Sequence, residues 1–200
     1  MKRRSLVFGL LAMTMICAGS LERAVWADSK GNFPGKGSRE AYNRACDIAK
    51  NGAELAKKGD FEGALKLDKQ ANSVYPYNSM GYHNVACDLY ELKRYSEAVA
   101  AENKAIQLEP NFSGAWIKQG LCYEESGKYD EAEKCYRKAN FINSDVETCF
   151  CIGDILTLKK RYMEAKPWYQ KAKSLTTKPS QIAQIEGRLK KLQPMLEASH

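Results

Sequence analysis

From Ser38 onward the apolar positions recur every three or four residues, the spacing of one helix face, and the alternation expected of strands is almost absent. The helical runs break at even intervals. Ala64, Ala98 and Ala132 lie 34 residues apart, and Ala71, Ala105 and Ala139 keep the same step. So do Gly52, Ala86 and Gly120, and Phe61, Tyr95 and Tyr129; Pro76 and Pro110 repeat it once. A fixed step of this length predicts an array of helix–turn–helix units, each too small to bury its apolar face without its neighbours. The small residues mark places where helix backbones approach closely. Gly59 and Gly127 are expected to end first helices in the left-handed conformation. Pro76 and Pro110 are expected to close second helices.

The unit is clearest at Ala115-Trp116-Ile117-Lys118-Gln119-Gly120-Leu121-Cys122-Tyr123, followed by Tyr129, Ala132, Tyr136 and Ala139. This segment resembles the tetratricopeptide repeat, with its order of Trp, Gly, Tyr, Ala, aromatic and Ala. It departs at Gln119, where Leu is usual, and at Ser144, where Pro is usual. The copy before it carries Tyr82, Val85, Ala86, Leu89, Ala98, Ala105 and Pro110, with Glu102 in the aromatic slot. The first copy carries Ile48, Gly52, Leu55, Ala64, Ala71 and Pro76, with Asp68 in that slot. A fourth follows at a step of 33, with Gly153, Leu156, Tyr162, Ala165, Tyr169 and Ala172. The resemblance implies an all-α, right-handed superhelical solenoid of about four helix pairs over residues 39–178, at about 45–78, 79–112, 113–145 and 146–178.

The ends of the chain read differently. Residues 1–27 have a basic head at Lys2-Arg3-Arg4, an uncharged apolar run from Ser5 to Leu21, and a Val25-Trp26-Ala27 exit. These are the parts of a secretory signal, so a periplasmic or secreted protein of exported bacterial type is expected. The alternative is a membrane anchor left uncleaved. Residues 28–38 read as a flexible linker rich in Gly and Lys. Residues 179–197 repeat Ile182, Ile185, Leu189, Leu192 and Leu196 on one face, as a capping helix would. Ser180 is its expected N-cap, and Pro194 is expected to end or kink it.

Composition excludes more than it suggests. The 200 residues contain 31 Lys and Arg against 24 Asp and Glu, a net charge of +7. Residues 1–27 hold +3 of that, and the rest is interspersed with acids, without the dense basic face that nucleic acid requires. With two histidines, no Gly-rich phosphate loop and no paired-cysteine zinc spacing, no catalytic set, cofactor or metal is expected. His83 and Cys87 do share a helix face. The seven cysteines include Cys17 in the leader. Among the other six, Cys122 and Cys135 face each other across one turn and form the one disulfide pairing expected.

Tetratricopeptide arrays usually bind through the concave face of their first helices. Carried onto this chain, that face comprises His83, Asn84, Cys87, Tyr90, Lys118, Leu121, Glu124, Glu125, Phe150 and Asp154. The five-residue carboxylate clamp of chaperone-cofactor members keeps only Asn84 and Lys118 here. Ala49, Ala53 and Gly114 fill its other slots, so that specificity is not expected. The resemblance implies a non-enzymatic scaffold or adaptor for a protein or peptide partner. The face is apolar in the middle with an acidic patch at Glu124, Glu125 and Asp154, so a peptide with apolar anchors and a basic residue is expected. The alternative is a structural subunit of a larger cell-envelope assembly.

Overall fold

A computed structural model describes residues 36–197. The expected secretory signal at 1–27 and most of the linker at 28–38 lie outside those residues. Within them the chain forms nine α-helices and no strand. They are α1 (Arg39–Lys57), α2 (Phe61–Val74), α3 (Ser79–Glu91), α4 (Tyr95–Leu108), α5 (Ser113–Glu125), α6 (Tyr129–Ile142), α7 (Val146–Leu158), α8 (Tyr162–Ser174) and α9 (Pro179–Glu197). Each helix packs on the one before and the one after it, and the first helices α3 and α5 also touch.

Side-chain caps fix four of the helix starts. Ser38 accepts from the Ala41 N–H, Asp60 from Gly63 and Asn78 from Met80, each satisfying a donor that the first turn leaves free. Asp145 and Thr148 form a reciprocal capping box at α7. The Asp145 cap stands where the Pro of the repeat pattern would lie nearby, and Ser144 bonds back to Asn140 at 3.0 Å.

The turns inside the pairs are copies of one another. The N–H groups of Asp60, Arg94, Lys128 and Arg161 bond to the carbonyls of Leu55, Leu89, Tyr123 and Leu156, and those of Gly59, Lys93, Gly127 and Lys160 bond to Ala56, Tyr90, Glu124 and Thr157. This double pattern is the Schellman motif, and it needs a left-handed residue. Gly59 and Gly127 supply it, with φ of 83° and 73°, as the sequence implied. In the second and fourth pairs Lys93 and Lys160 adopt the same conformation, with φ of 60° and 59°.

Packing explains the repeated slots. Ala64, Ala98, Ala132 and Ala165 are buried completely, as are Ala71, Ala105, Ala139 and Ala172. A Cβ on Gly120 would stand 2.5 Å from Tyr136, and one on Gly153 would stand 2.7 Å from Tyr169. Each glycine therefore makes room for the aromatic ring of its own pair. In the first pair the same gap faces a shorter side chain, Asp68, 2.7 Å from a Cβ on Gly52.

Three sequence expectations change. Gln119 is buried and polar because it links helices: its amide donates to Asn103 at 2.7 Å and its oxygen accepts from Cys135 Sγ at 3.3 Å. Cys135 thus points at Gln119, and the expected disulfide is not formed; Cys122 and Cys135 are both free, buried thiols. At α9, Pro179 rather than Ser180 opens the helix, a position where the missing proline N–H is not needed. Pro194 does not end it. Only one turn remains beyond it, and Leu196 is buried there, holding that turn down.

Candidate functional site

The residues expected on the concave face come from three first helices: α3 carries His83, Asn84, Cys87 and Tyr90, α5 carries Lys118, Leu121, Glu124 and Glu125, and α7 carries Phe150 and Asp154. The structure divides these residues into an accessible part and a closed part. His83, Cys87, Tyr90, Lys118, Glu124 and Glu125 are partly exposed, whereas Asn84, Leu121, Phe150 and Asp154 are buried.

The closed part is filled from within the chain. Arg188 of α9 donates from Nε and Nη2 to the two Asp154 carboxylate oxygens at 2.9 and 3.1 Å, and its guanidinium lies 5.7 Å from the centre of the Phe150 ring. Tyr169 donates its hydroxyl to Asp154 at 2.5 Å. The acidic end expected to take a basic partner residue thus already holds a basic residue. Ile185, Leu192 and Leu196 of α9 are buried beside it, in the same core cluster as Phe150, Ile155 and Leu156.

Glu124 forms the edge between the two parts. Burial pushes its pKa up, the Asp154 and Glu125 charges push it further, and it reaches about 7 despite a 2.7 Å hydrogen bond from Tyr136 and the nearby Arg188. Burial also raises Glu125. Next to them, the Lys118 ammonium sits 4.6 Å above the Tyr90 ring and joins α5 to α3.

The accessible part contains a cluster that sequence reasoning only half saw. His83 Nδ1 lies 2.7 Å from Glu102 Oε1, and His83 Nε2 lies 3.7 Å from Cys87 Sγ. Glu102 comes from α4, where it holds the slot that Tyr136 and Tyr169 fill in later pairs. Its side chain is fully buried. The missed signal was that departure itself: a carboxylate in an apolar slot needs a partner, and His83 lies across the same pair. Cys46 of α1 lies apart from them and packs with Tyr42 and Ala49 in a separate cluster. Among the described residues no group of three His, Cys, Asp or Glu side chains is placed to hold a metal.

Paired helices on a common step, closed by a final helix, define a helical-repeat solenoid of the tetratricopeptide type. Comparison with known proteins agrees. Residues 113–144 match the tetratricopeptide repeat family. The small glutamine-rich tetratricopeptide repeat-containing protein 2 of Saccharomyces cerevisiae is 29% identical over 122 residues, covering 61% of this chain and 35% of the relative. A thermophilic tetratricopeptide protein of Thermus thermophilus superimposes with a TM-score of 0.66 at 19% identity, covering 72% of this chain and 81% of that one. The first tetratricopeptide domain of Spaghetti (RPAP3), bound to the HSP90 peptide SRMEEVD, superimposes with a TM-score of 0.57 at 21% identity, covering 58% and 94%. The chain spans about a third or less of the curated relatives it matches first. Among the described residues no helix is long and apolar enough to cross a membrane.

Proposed function

We propose that this protein is a non-enzymatic binding scaffold that takes a peptide segment of a partner protein on the face of α3 and α5. The observation that carries this reading is the Tyr90–Lys118 pair. It is a partly exposed aromatic and a cation held together across two first helices, in the part of the face that α9 leaves open. Tyrosines of this kind anchor interfaces because they present a large, rigid surface. The basic Lys118 and the apolar Tyr90 favour a segment with an apolar anchor and an acidic neighbour. This revises the basic partner residue that the acidic patch suggested, because Arg188 occupies that patch. A C-terminal carboxylate, as in the clamp of chaperone cofactors, is not favoured: Ala49 and Asn84, at two of the clamp positions, are buried.

A displayed peptide library selected on the protein tests the reading. Selected peptides should lose most of their affinity for a Tyr90→Ala, Lys118→Glu variant. If they bind that variant as well as the parent, the groove is not the binding face. The basic head, apolar run and small-residue exit of residues 1–27 support export of this scaffold to the periplasm or beyond. Mature protein beginning at Asp28 is the expected result of N-terminal sequencing; soluble cytoplasmic protein beginning at Met1 would overturn it.

A further inference from the structure

We propose that Cys87 is a reactive thiolate, set up by His83 and Glu102, that forms a mixed disulfide with small disulfides reaching the open face. The geometry is that of a nucleophile, a base and an orienting acid. Cys87 and His83 stand one helical turn apart on α3, which brings Sγ to 3.7 Å from Nε2. Glu102 on α4 holds the opposite ring nitrogen at 2.7 Å, fixing the ring and favouring its protonated form. The Phe112 ring packs edge-on against His83, with the ring centres 4.9 Å apart. Cys87 itself remains partly exposed, whereas Cys46, Cys122, Cys135, Cys149 and Cys151 are buried.

Electrostatics separates this thiol from the others. Burial works against its charged form, yet the His83 ring and the Lys118 ammonium of α5 outweigh burial and the opposing Glu102 charge, and its pKa falls. His83 moves the other way: burial opposes its charge, and Cys87 and Glu102 raise its pKa. Cys122 of α5 also faces Cys87, but burial pushes that thiol up to about 12, so it stays protonated. Cys46, Cys135 and Cys149 are likewise raised by burial. A thiolate next to an imidazolium is the form that attacks disulfides.

A purely structural role for the three residues explains less. Glu102 Oε2 is buried without a hydrogen-bond partner, so the carboxylate is only half satisfied by packing its slot. Filling that slot with an aromatic ring, as in the third and fourth pairs, would avoid that penalty. What the carboxylate adds is a fixed, basic His83. In the exchange the Cys87 thiolate attacks one sulfur of the disulfide. The old S–S bond breaks as the new one forms, and the departing thiolate takes its proton from His83 Nε2. One disulfide is consumed and one is made, so no further oxidant enters. The inference does not depend on the peptide-binding role of the face.

Glutathione disulfide and the folded full-length protein provide the test, with the modified cysteine located by peptide mass spectrometry. Among the six described cysteines the expected product carries glutathione on Cys87 alone, with a pH–rate midpoint below the value of about 8.5 for an ordinary thiol. His83→Gln should move that midpoint up by about one unit, and Glu102→Gln should move it up by less, because it also removes a charge that opposes the thiolate, while circular dichroism shows the helices intact. Unfolding in denaturant should abolish the selectivity. Label distributed over several cysteines of the folded protein, or a midpoint in the parent equal to that of free glutathione, overturns the proposal. A variant series with unchanged midpoints assigns His83 and Glu102 to packing alone and overturns their part in it.

Discussion

Arg188 and Asp154, 34 positions apart in sequence, meet through two hydrogen bonds where α9 crosses α7. Their side chains are 21% and 7% exposed, so the pair is largely desolvated and each charge depends on the other. Removing one partner from such a pair is far more damaging than removing both. Arg188→Ala should therefore destabilise the protein by about 3 kcal/mol, because Asp154 is left charged and unpaired. The double change with Asp154→Ala should recover part of that loss. Urea denaturation of the four forms gives the coupling directly, and a coupling near zero would show that α9 is held by Ile185, Leu192 and Leu196 alone.

Two glycines on helices should respond in opposite directions to the same substitution. Gly120→Ala places a methyl group 2.5 Å from the Tyr136 ring, which is fully buried and bonded to Glu124. The ring must shift against its packing and its hydrogen bond to make room, so a loss of roughly 1–3 kcal/mol is expected. Gly187 lies on the exposed side of α9, with nothing within 4 Å of a Cβ there. Gly187→Ala should stabilise by about 0.5–1 kcal/mol through helix propensity. Thermal unfolding of both variants checks the pair, and equal effects would contradict the close contact seen at Gly120.

Lys93 and Lys160 sit in the left-handed conformation that Gly59 and Gly127 adopt without strain. A side chain in that region raises the energy by about 1–2 kcal/mol, and glycine gives back part of the gain through a more flexible unfolded chain. Lys93→Gly should raise stability by about 0.5–1 kcal/mol, a rise in Tm of roughly 1–4 °C for a chain of this size. Lys160→Gly should do the same, because its neighbours are anchored: Lys159 and Arg161 both bond to Glu133 of α6, at 2.6 and 2.7 Å. A fall in Tm for both variants would mean that the lysines make compensating contacts.

These lysines show where the sequence stops being readable. Gly59 and Gly127 announce a left-handed turn because glycine has a reason to be there, whereas Lys93 and Lys160 disclose it only through their place in the 34-residue step. The alanine and aromatic slots were legible because close packing leaves few choices. Glu102 was visible as a departure from the step, but its contact with His83 depends on how α4 lies across α3. Arg188 reaches Asp154 for a reason that no period contains: the cap is not a repeat, and its register against α7 is set by three-dimensional packing. Cys135 looked like half of a disulfide by position and proved to be a donor to Gln119, a side chain that also departs from the pattern.

Glu124 makes the stability of the fold sensitive to pH near neutrality. Its carboxyl has a folded pKa of about 7, raised by burial and by the Asp154 and Glu125 charges, against an unfolded value of about 4.3. The folded state therefore holds the proton more tightly than the unfolded chain. The stability that this group contributes is complete below the unfolded value and is lost as pH rises through the folded one. Glu102 and Asp154 are also raised by burial, and Glu133 is lowered by Lys159 and Arg137, so the bare pH profile of the protein mixes several groups. Comparison with Glu124→Gln isolates one of them. The glutamine oxygen can still accept from the Tyr136 hydroxyl, and it carries no charge at any pH. Between pH 5 and 8 the parent should lose roughly 1–3 kcal/mol relative to the variant, read as a widening difference in Tm. A constant difference across that range would mean that Glu124 titrates as an ordinary solvated carboxylate and that the edge of the groove is wetter than the packing of Tyr136 and Arg188 implies.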